Sequence, residues 1–233
     1  MDNYIITIAR GFGSGGKQIG MALSKQLGIP CYDSQILSMA SDYSGINKDL
    51  FFQVDEKLRD RHLIKRLMKA PNTDAIVAPT DRSFVSDVNL YNIQAKIIRE
   101  LAQTQSCIII GKCANHVLKN FDNVVSVYIE APRKECVESV IKHLGVTEDE
   151  AHKMIYQTDK YRADYYKYYT GGETWTNPVL YDMTLNSARI GRDRCVTLII
   201  EYLKIKLGAD IIHKKGLTGH AMEFESAWSN KKN

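Results

Sequence analysis

Residues 4–17 read Y-I-I-T-I-A-R-G-F-G-S-G-G-K, and this stretch decides the fold because an apolar run passes directly into a glycine loop. The β-branched, apolar residues from Tyr4 to Ile8 predict a buried strand of a parallel sheet. Apolar residues at four-residue spacing then predict a helix from Lys17 to Leu27. The stretch therefore predicts a strand, a tight loop and a helix in direct succession.

The loop from Gly11 to Lys17 has the spacing G-x-x-x-x-G-K. Because glycines lack a Cβ atom, backbone N–H groups can converge on phosphate oxygens, and the following helix directs its positive N-terminal end at the same anion. Lys17 would bridge the β- and γ-phosphates of ATP. The alternative is a glycine-rich turn that binds nothing. The residues expected to hold the ATP phosphates are Gly11, Gly13, Ser14, Gly15, Gly16, Lys17 and Gln18.

Gln18 stands where this motif usually carries a serine or threonine that holds magnesium. We therefore expect Mg²⁺ to be held by phosphates and water, with Ser14 or Asp33 helping through water, or to bind weakly. Asp33 follows the second predicted strand, at the carboxyl edge of the sheet where ligands bind. The alternative role for Asp33 is to cap the helix that follows it.

Predicted strands alternate with predicted helices along the rest of the chain. Such alternation predicts an α/β fold of three layers, with a five-stranded parallel sheet and helices on both faces. A capping-box start at Thr147 predicts one long polar helix to about Tyr169, and a closing helix is expected from Arg189 to Leu207. The five predicted strands cover residues 4–8, 29–32, 107–110, 124–129 and 181–185.

The overall composition excludes several classes of protein. The 233 residues carry a net charge of +4, which suits an anionic small molecule and does not call for nucleic acid. The five cysteines show no C-x-x-C spacing, which argues against zinc and a disulfide framework and favours a reducing compartment. No signal peptide or membrane-spanning run is visible. We therefore expect a soluble cytoplasmic protein.

Five segments of the chain carry a resemblance to a known family: I-T-I-A-R-G-F-G-S-G-G-K-Q-I-G at 6–20, L-G-I-P-C-Y-D-S at 27–34, C-I-I-I-G-K-C-A at 107–114, D-K-Y-R-A-D-Y-Y-K-Y-Y-T-G at 159–171 and L-Y-D-M-T-L-N-S at 180–187. Together they resemble the cytidylate kinase-like branch of the nucleoside monophosphate kinases. The resemblance implies a P-loop kinase fold with a closing lid, and Mg²⁺-dependent transfer of the γ-phosphoryl group of ATP to a pyrimidine monophosphate such as CMP or dCMP.

The same resemblance implies a division of labour along the chain. A kinase domain would span residues 1–207, with a monophosphate-binding segment at about 33–85, a helical lid at about 155–172 and a C-terminal tail at 208–233. Arg162 would act with Lys17 on the transferring group, and Lys160 would belong to the lid, although both could instead form ion pairs on a solvated helix face. The implied substrate-binding residues are Asp33, Ser34, Arg59, Arg82 and Lys112.

Several positions depart from the well-studied cytidylate kinases. Met39 replaces an arginine that would hold the monophosphate, so we expect one or two of Arg59, Arg61, Arg66 and Arg82 to replace it. Lys112 replaces a second arginine and lacks its bidentate fork. In those enzymes a lysine directly follows Gly-Ser-Gly, whereas here Gly16 stands between Gly15 and Lys17. We prefer the alignment that keeps Lys17 in the motif. Two alternatives stay open: a kinase for another small molecule, and a nucleotide-binding module without turnover.

Six of the thirteen tyrosines fall between Tyr156 and Tyr169. We expect this cluster to pack the lid or to form a dimer contact, and base stacking with nucleic acid is the weakest alternative. The expected partners are therefore ATP and a small phosphorylated acceptor. No membrane partner is expected, and a homodimer is left open.

Overall fold

The structure is a computed structural model, and it describes residues 2–57, 76–77 and 80–214. Five strands form one sheet in the order β2-β3-β1-β4-β5, and every neighbouring pair is parallel. This confirms the predicted five-stranded parallel sheet. The strands are β1 (Ile5–Arg10), β2 (Cys31–Tyr32), β3 (Cys107–Ile110), β4 (Val124–Glu130) and β5 (Met183–Asn186).

Helices follow the strands and cover both faces of the sheet. We number them α1 (Gly16–Leu27), α2 (Gln35–Ser44), α3 (Lys48–Lys57), α4 (Asp87–Thr104), α5 (Ala114–Val117), α6 (Arg133–Leu144), α7 (Glu148–Tyr169), α8 (Ser187–Ile190) and α9 (Arg192–Leu207). Short 3₁₀ turns lie at Pro178–Leu180 and Ala209–His213. Residues 58–75, which follow α3, lie outside the described part of the chain.

Two apolar clusters, one on each face of the sheet, give the fold its three layers. On one face, α1 and α9 pack against β1, and Ile19, Leu23 and Ile199 are fully buried with Ile6 and Ile8. On the other face, buried residues of α2, α4 and the end of α7 form a larger cluster with alternate residues of the same strands. The strands are therefore covered on both faces, which explains their nearly continuous apolar sequences.

Local signals at the helix ends agree with the sequence. The Thr147 side chain accepts a hydrogen bond from the backbone N–H of Glu150, whose carboxylate accepts one from the N–H of Thr147, so the predicted capping box is present. Gly28, with φ 65°, ends α1 in the left-handed conformation. Such side-chain and glycine caps satisfy backbone groups that a helix leaves unpaired.

One boundary difference concerns the closing helix. The sequence predicts one helix from Arg189, but Gly191, with φ 87° and ψ 143°, separates α8 from α9, which begins at Arg192. Only glycine adopts that backbone conformation readily, so Gly191 itself explains the break between the two helices. β5 begins two residues later than predicted, because Asp182 exchanges hydrogen bonds with Ser126 before the strand starts.

The first residues of the predicted tail pack on the domain itself. Ile211 is buried, and the carbonyl oxygen of Lys214 accepts a hydrogen bond from the Ser106 hydroxyl at 2.7 Å. Residues 215–233 lie outside the described part of the chain. Among the described residues, no helix combines the length and apolar character needed to cross a membrane.

Candidate active site

The glycine loop joins β1 to α1 at the carboxyl edge of the sheet. Gly13 and Gly15 have φ values of 87° and 86°, which side chains rarely tolerate. A Cβ atom on Gly13 would lie 2.6 Å from the backbone carbonyl oxygen of Cys136, so another residue cannot be accommodated without moving backbone. α1 begins at Gly16, and the N–H groups of its first turn make the helix end a site for anions.

Two serines shape this loop from inside. Ser14 is buried, and its hydroxyl lies 2.9 Å from the carbonyl oxygen of Gly11 and 3.1 Å from that of Ile129. The Ser187 hydroxyl, at the start of α8, donates to the carbonyl oxygen of Ser14 at 2.5 Å. The Ser14 hydroxyl is therefore directed at the loop's own carbonyl groups, while the side chain of Gln18 is exposed on α1.

Asp33 lies at the end of β2 and pairs with two cations from β1 and α1. Its carboxylate is 3.3 Å from Lys17 Nζ and 3.6 Å from Arg10 Nη2. Ser34 occupies the N-cap position of α2 and makes no side-chain cap bond there. The alternative that Asp33 caps this helix is therefore wrong, because its carboxylate turns to Lys17 and Arg10 instead.

Arg10 crosses the end of the sheet to reach Asp33, and two glycines leave room for it. A Cβ atom on Gly16 would lie 2.5 Å from Arg10 Cβ, and one on Gly111 would lie 2.1 Å from Arg10 Nη1. Because β3 lies between β1 and β2, the arginine must pass over the end of β3. Sequence reasoning missed Arg10, and the only signal was a charged residue closing an otherwise apolar strand.

The predicted lid segment belongs to α7, and two of its side chains contact the glycine loop. Asp159 Oδ1 accepts the backbone N–H of Phe12 at 2.8 Å and the Arg162 guanidinium at 3.2 Å. Arg162 Nη1 also donates to the carbonyl oxygen of Arg10 at 2.9 Å, and its guanidinium lies 5.7 Å from the centre of the Phe12 ring. Lys160 instead pairs with Asp164 along the helix.

Burial governs the ionisation of this contact. Desolvation raises the pKa of Asp159, although Arg162 and the Phe12 N–H act in the opposite direction. Burial also lowers the pKa of Arg162, against the influence of Asp159. Both charged forms therefore lose solvation that their pairing only partly restores, as is common for buried ion pairs.

A cavity of about 310 Å³ opens beside Asp33 and runs over the face of the sheet. Its volume is at the lower end of the range for small-molecule sites. Both charged and aromatic side chains line it, a combination that suits a ligand with an anionic group and a flat ring. The charged lining residues are Arg10, Asp33, Lys112 and Arg162, and the aromatic ones are Phe52, Tyr161, Tyr165, Tyr166 and Trp175.

The backbone that carries Lys112 is strained. Gly111, Lys112 and Cys113 have φ values of 74°, 59° and 53°, so three consecutive residues are left-handed. Each non-glycine residue in that region costs roughly 1–2 kcal/mol. Such strain persists where the surrounding structure holds it, and it often accompanies functional sites. Here it brings Lys112 into the lining of the cavity.

The tyrosine cluster packs into the protein. Tyr165, Tyr166 and Tyr169 are buried, and the Tyr169 ring stacks on Tyr91 with centroids 3.9 Å apart. Tyr156 has 61% of its surface exposed, and Tyr161 and Tyr168 are half-buried. Tyr165 and Tyr169 pack against Tyr91, so packing between α7 and α4 is the outcome for this part of the cluster.

The remaining predicted substrate residues are scattered. Arg82 is exposed and is not among the residues lining the cavity. Met39 packs against the apolar core. Arg59, Arg61 and Arg66 lie outside the described residues. Among the described residues, the cavity obtains its cations from Arg10, Lys112 and Arg162.

One family model and several solved structures match this chain. The model of the cytidylate kinase-like family matches residues 5–189, most of the chain. The comparison with curated proteins finds no match. Similar solved structures include an uncharacterized protein from Eubacterium ventriosum ATCC 27560, with 24% identity and a TM-score of 0.63 over 87% of this chain and 99% of that one.

Two further solved structures are more distant. A shikimate kinase from Bacteroides thetaiotaomicron has 14% identity and a TM-score of 0.45, covering 86% of this chain and 98% of that one. An unliganded sugar kinase from Janibacter sp. HTCC2649 has 12% identity and a TM-score of 0.46, covering 89% of this chain and 97% of that one.

Proposed function

Because the chain belongs to the cytidylate kinase-like family, we propose that it transfers the γ-phosphoryl group of ATP to a nucleoside monophosphate, with CMP or dCMP as the first candidates. One observation carries the proposal. Lys17 of the glycine loop pairs with Asp33. Arg162 of α7 donates to the carbonyl oxygen of Arg10. Asp33, Arg10 and Arg162 all line a cavity with aromatic walls. A donor phosphate and an acceptor would meet at that point.

Positioning and charge stabilisation would do most of the catalytic work, since phosphoryl transfer needs little covalent help from protein. The N–H groups at the start of α1 would hold the donor phosphates, and Lys17 would leave Asp33 to bridge the β- and γ-phosphates. Arg162 would face the transferring group from the opposite side. A phosphate acceptor is already ionised, so no side chain need take a proton.

Bound Mg²⁺ would neutralise charge on the phosphates during transfer. Among the described residues, no group of three or more histidine, cysteine or acidic side chains could form a metal cage. Mg²⁺ does not need such a cage, because it usually keeps several waters and binds through substrate phosphates. Asp33 is the carboxylate that would hold it through water, because the Ser14 hydroxyl is directed at loop carbonyl groups.

Met39 offers no charge to the acceptor phosphate, so cations elsewhere in the cavity would hold it. Arg10 and Lys112 both line the cavity. The Arg10 guanidinium offers several fixed donors, and it is already oriented by Asp33 at 3.6 Å. The aromatic side chains further along the cavity would contact the base.

A second candidate is a kinase whose acceptor is a hydroxyl group, and Asp33 is the observation that favours it. This carboxylate lines the cavity and lies 3.3 Å from Lys17. A hydroxyl acceptor needs a carboxylate to orient it and accept its proton, whereas a phosphate acceptor does not. Asp33 would then be the base instead of an outer-sphere magnesium ligand.

The decisive experiment is an ADP-release assay with ATP and Mg²⁺ against nucleoside monophosphates, sugars and hydroxy acids. Lys17→Ala should reduce turnover by roughly 10²- to 10³-fold, while Lys25→Ala, exposed at the other end of α1, should leave it unchanged. Asp33→Asn separates the two acceptor classes. A hydroxyl acceptor predicts a loss of about 10²- to 10⁴-fold, and a phosphate acceptor predicts a smaller one.

The outcomes are distinct. Turnover with CMP or dCMP that disappears in Lys17→Ala supports the first proposal. Turnover only with a hydroxyl acceptor, lost in Asp33→Asn, replaces it with the second. Binding of ATP without turnover on any acceptor refutes both and leaves a nucleotide-binding module.

A further inference from the structure

Thr7 lies in the middle of β1, inside the cavity described above. Its side chain occupies the same face of the sheet as Ile5 and Ala9, because alternate residues of a strand share a face. Thr7 is only 2% exposed, and it lines the cavity. Within the part of the chain that the structure describes, its hydroxyl has no hydrogen-bond partner.

An unbonded hydroxyl is costly at this position. Burying a hydroxyl without a hydrogen bond destabilises a folded protein, whereas valine has nearly the same shape and an equal preference for strands. The neighbours of Thr7 in the sheet are Ile109 and Ser126. Stability alone would therefore favour valine, and a threonine here needs another reason.

We propose that the Thr7 hydroxyl is a specificity contact for the acceptor, binding a polar atom at the end remote from the transferred phosphoryl group. The inference rests on the proposed function and extends it. Arg10, which also lines the cavity, is three residues further along the same strand. At the rise of an extended strand this corresponds to about 10 Å along the backbone. An acceptor whose phosphate lies at Arg10 would therefore reach Thr7 with its other end.

This position defines a class of acceptor. The far end of the ligand must carry a hydrogen-bonding edge, as a pyrimidine base does, and it must be flat enough to lie between aromatic walls. Asn115, which is 8% exposed, lines the same cavity and is held there by donating to the Tyr166 hydroxyl at 2.9 Å. A wholly apolar group would leave the Thr7 hydroxyl unpaired and would bind weakly.

The test compares Thr7→Val with Thr7→Ser in the full chain, using CMP and ATP as separate probes in titration calorimetry. Thr184→Val is the matched control, because Thr184 is an exposed strand residue of β5 outside the cavity. Thr7→Val should weaken CMP binding about three- to tenfold, the effect of one net hydrogen bond. ATP binding should not change, and Thr7→Ser should retain most of the CMP affinity.

Thermal unfolding without ligand distinguishes this role from a structural one. Thr7→Val should unfold at the same temperature as the natural chain or higher, since the variant removes an unbonded hydroxyl. Unchanged CMP affinity in Thr7→Val would overturn the inference and leave the proposed function standing. A lower unfolding temperature together with an equal loss of ATP affinity would also overturn it. If the natural chain binds no nucleoside monophosphate, the proposed function fails and this inference fails with it.

Discussion

Removal of the Asp159 carboxylate should weaken the contact between α7 and the glycine loop. This carboxylate accepts the backbone N–H of Phe12 at 2.8 Å and the Arg162 guanidinium at 3.2 Å. Both charged side chains are largely covered, with 29% of Asp159 and 19% of Arg162 exposed. The substitution Asp159→Ala therefore deletes a charge-assisted hydrogen bond and leaves a buried cation without its counter-charge.

The magnitude follows from these two losses. A hydrogen bond to a charged group contributes about 1.5–3 kcal/mol, and breaking a fully buried ion pair costs about 3–5 kcal/mol. The two losses involve the same carboxylate, so they cannot simply be added. The partial exposure of both side chains also reduces the second one. We therefore expect Asp159→Ala to lower the free energy of unfolding by about 2–3 kcal/mol.

Two companion variants make the reasoning specific. Asp159→Asn keeps an oxygen for the Phe12 N–H and the Arg162 guanidinium but also removes the counter-charge, so it should cost less than Asp159→Ala without being neutral. In Asp159→Ala combined with Arg162→Ala, the unpaired cation is gone. The double variant should therefore be more stable than the sum of the two single effects predicts.

Urea unfolding followed by circular dichroism measures all of these free energies. Asp164→Ala is the control, because Asp164 pairs with Lys160 along the helix and should cost under about 1 kcal/mol. Equal losses in Asp159→Ala and Asp164→Ala, or strictly additive effects of Asp159→Ala and Arg162→Ala, would refute the reasoning.

Three further predictions concern other parts of the site and fold. Lys112→Gly should change the free energy of unfolding by less than about 1 kcal/mol, since relief of strain at φ 59° is offset by the greater chain entropy of glycine, while raising the KM for the acceptor in the ADP-release assay. Gly13→Ala should abolish ATP binding in calorimetry, because its Cβ atom would lie 2.6 Å from the carbonyl oxygen of Cys136. Desolvation raises the pKa of the half-buried Asp182, but hydrogen bonds from Lys206 and Ser126 outweigh it and lower the pKa. Its contribution to stability is therefore present above the unfolded-state pKa and is lost as pH falls through the lower folded-state pKa, so the stability advantage over Asp182→Asn should shrink below about pH 4 in urea unfolding.

The sheet and the glycine loop could be predicted because their signals are local. A β-branched run such as Tyr4–Ile8 indicates a buried strand wherever it lies, and glycines at fixed spacing before a helix indicate a tight loop. The parallel sheet, the loop and the Thr147 capping box all followed from such short-range patterns. The start of the closing helix shifted because Gly191 imposed its own backbone conformation, and the start of β5 shifted because Asp182 bonds to Ser126.

The roles of individual charged residues could not be assigned in this way. Lys160 and Arg162 are two residues apart on one helix, so they point to different sides of it. The sequence offered both as lid cations, but Arg162 contacts the glycine loop and Lys160 pairs with Asp164. Which side of a helix meets a distant loop is decided by packing.

The sequence by itself determined the α/β class, the succession of strand, glycine loop and helix, and the family resemblance. These depend on residues close together in the chain. Only the tertiary structure decided that Arg10 reaches Asp33 over the end of β3, that Asp159 binds Phe12, and that Thr7 faces the cavity. A charge or a hydroxyl interacts with whatever the fold brings near it, and here that partner comes from a distant part of the chain.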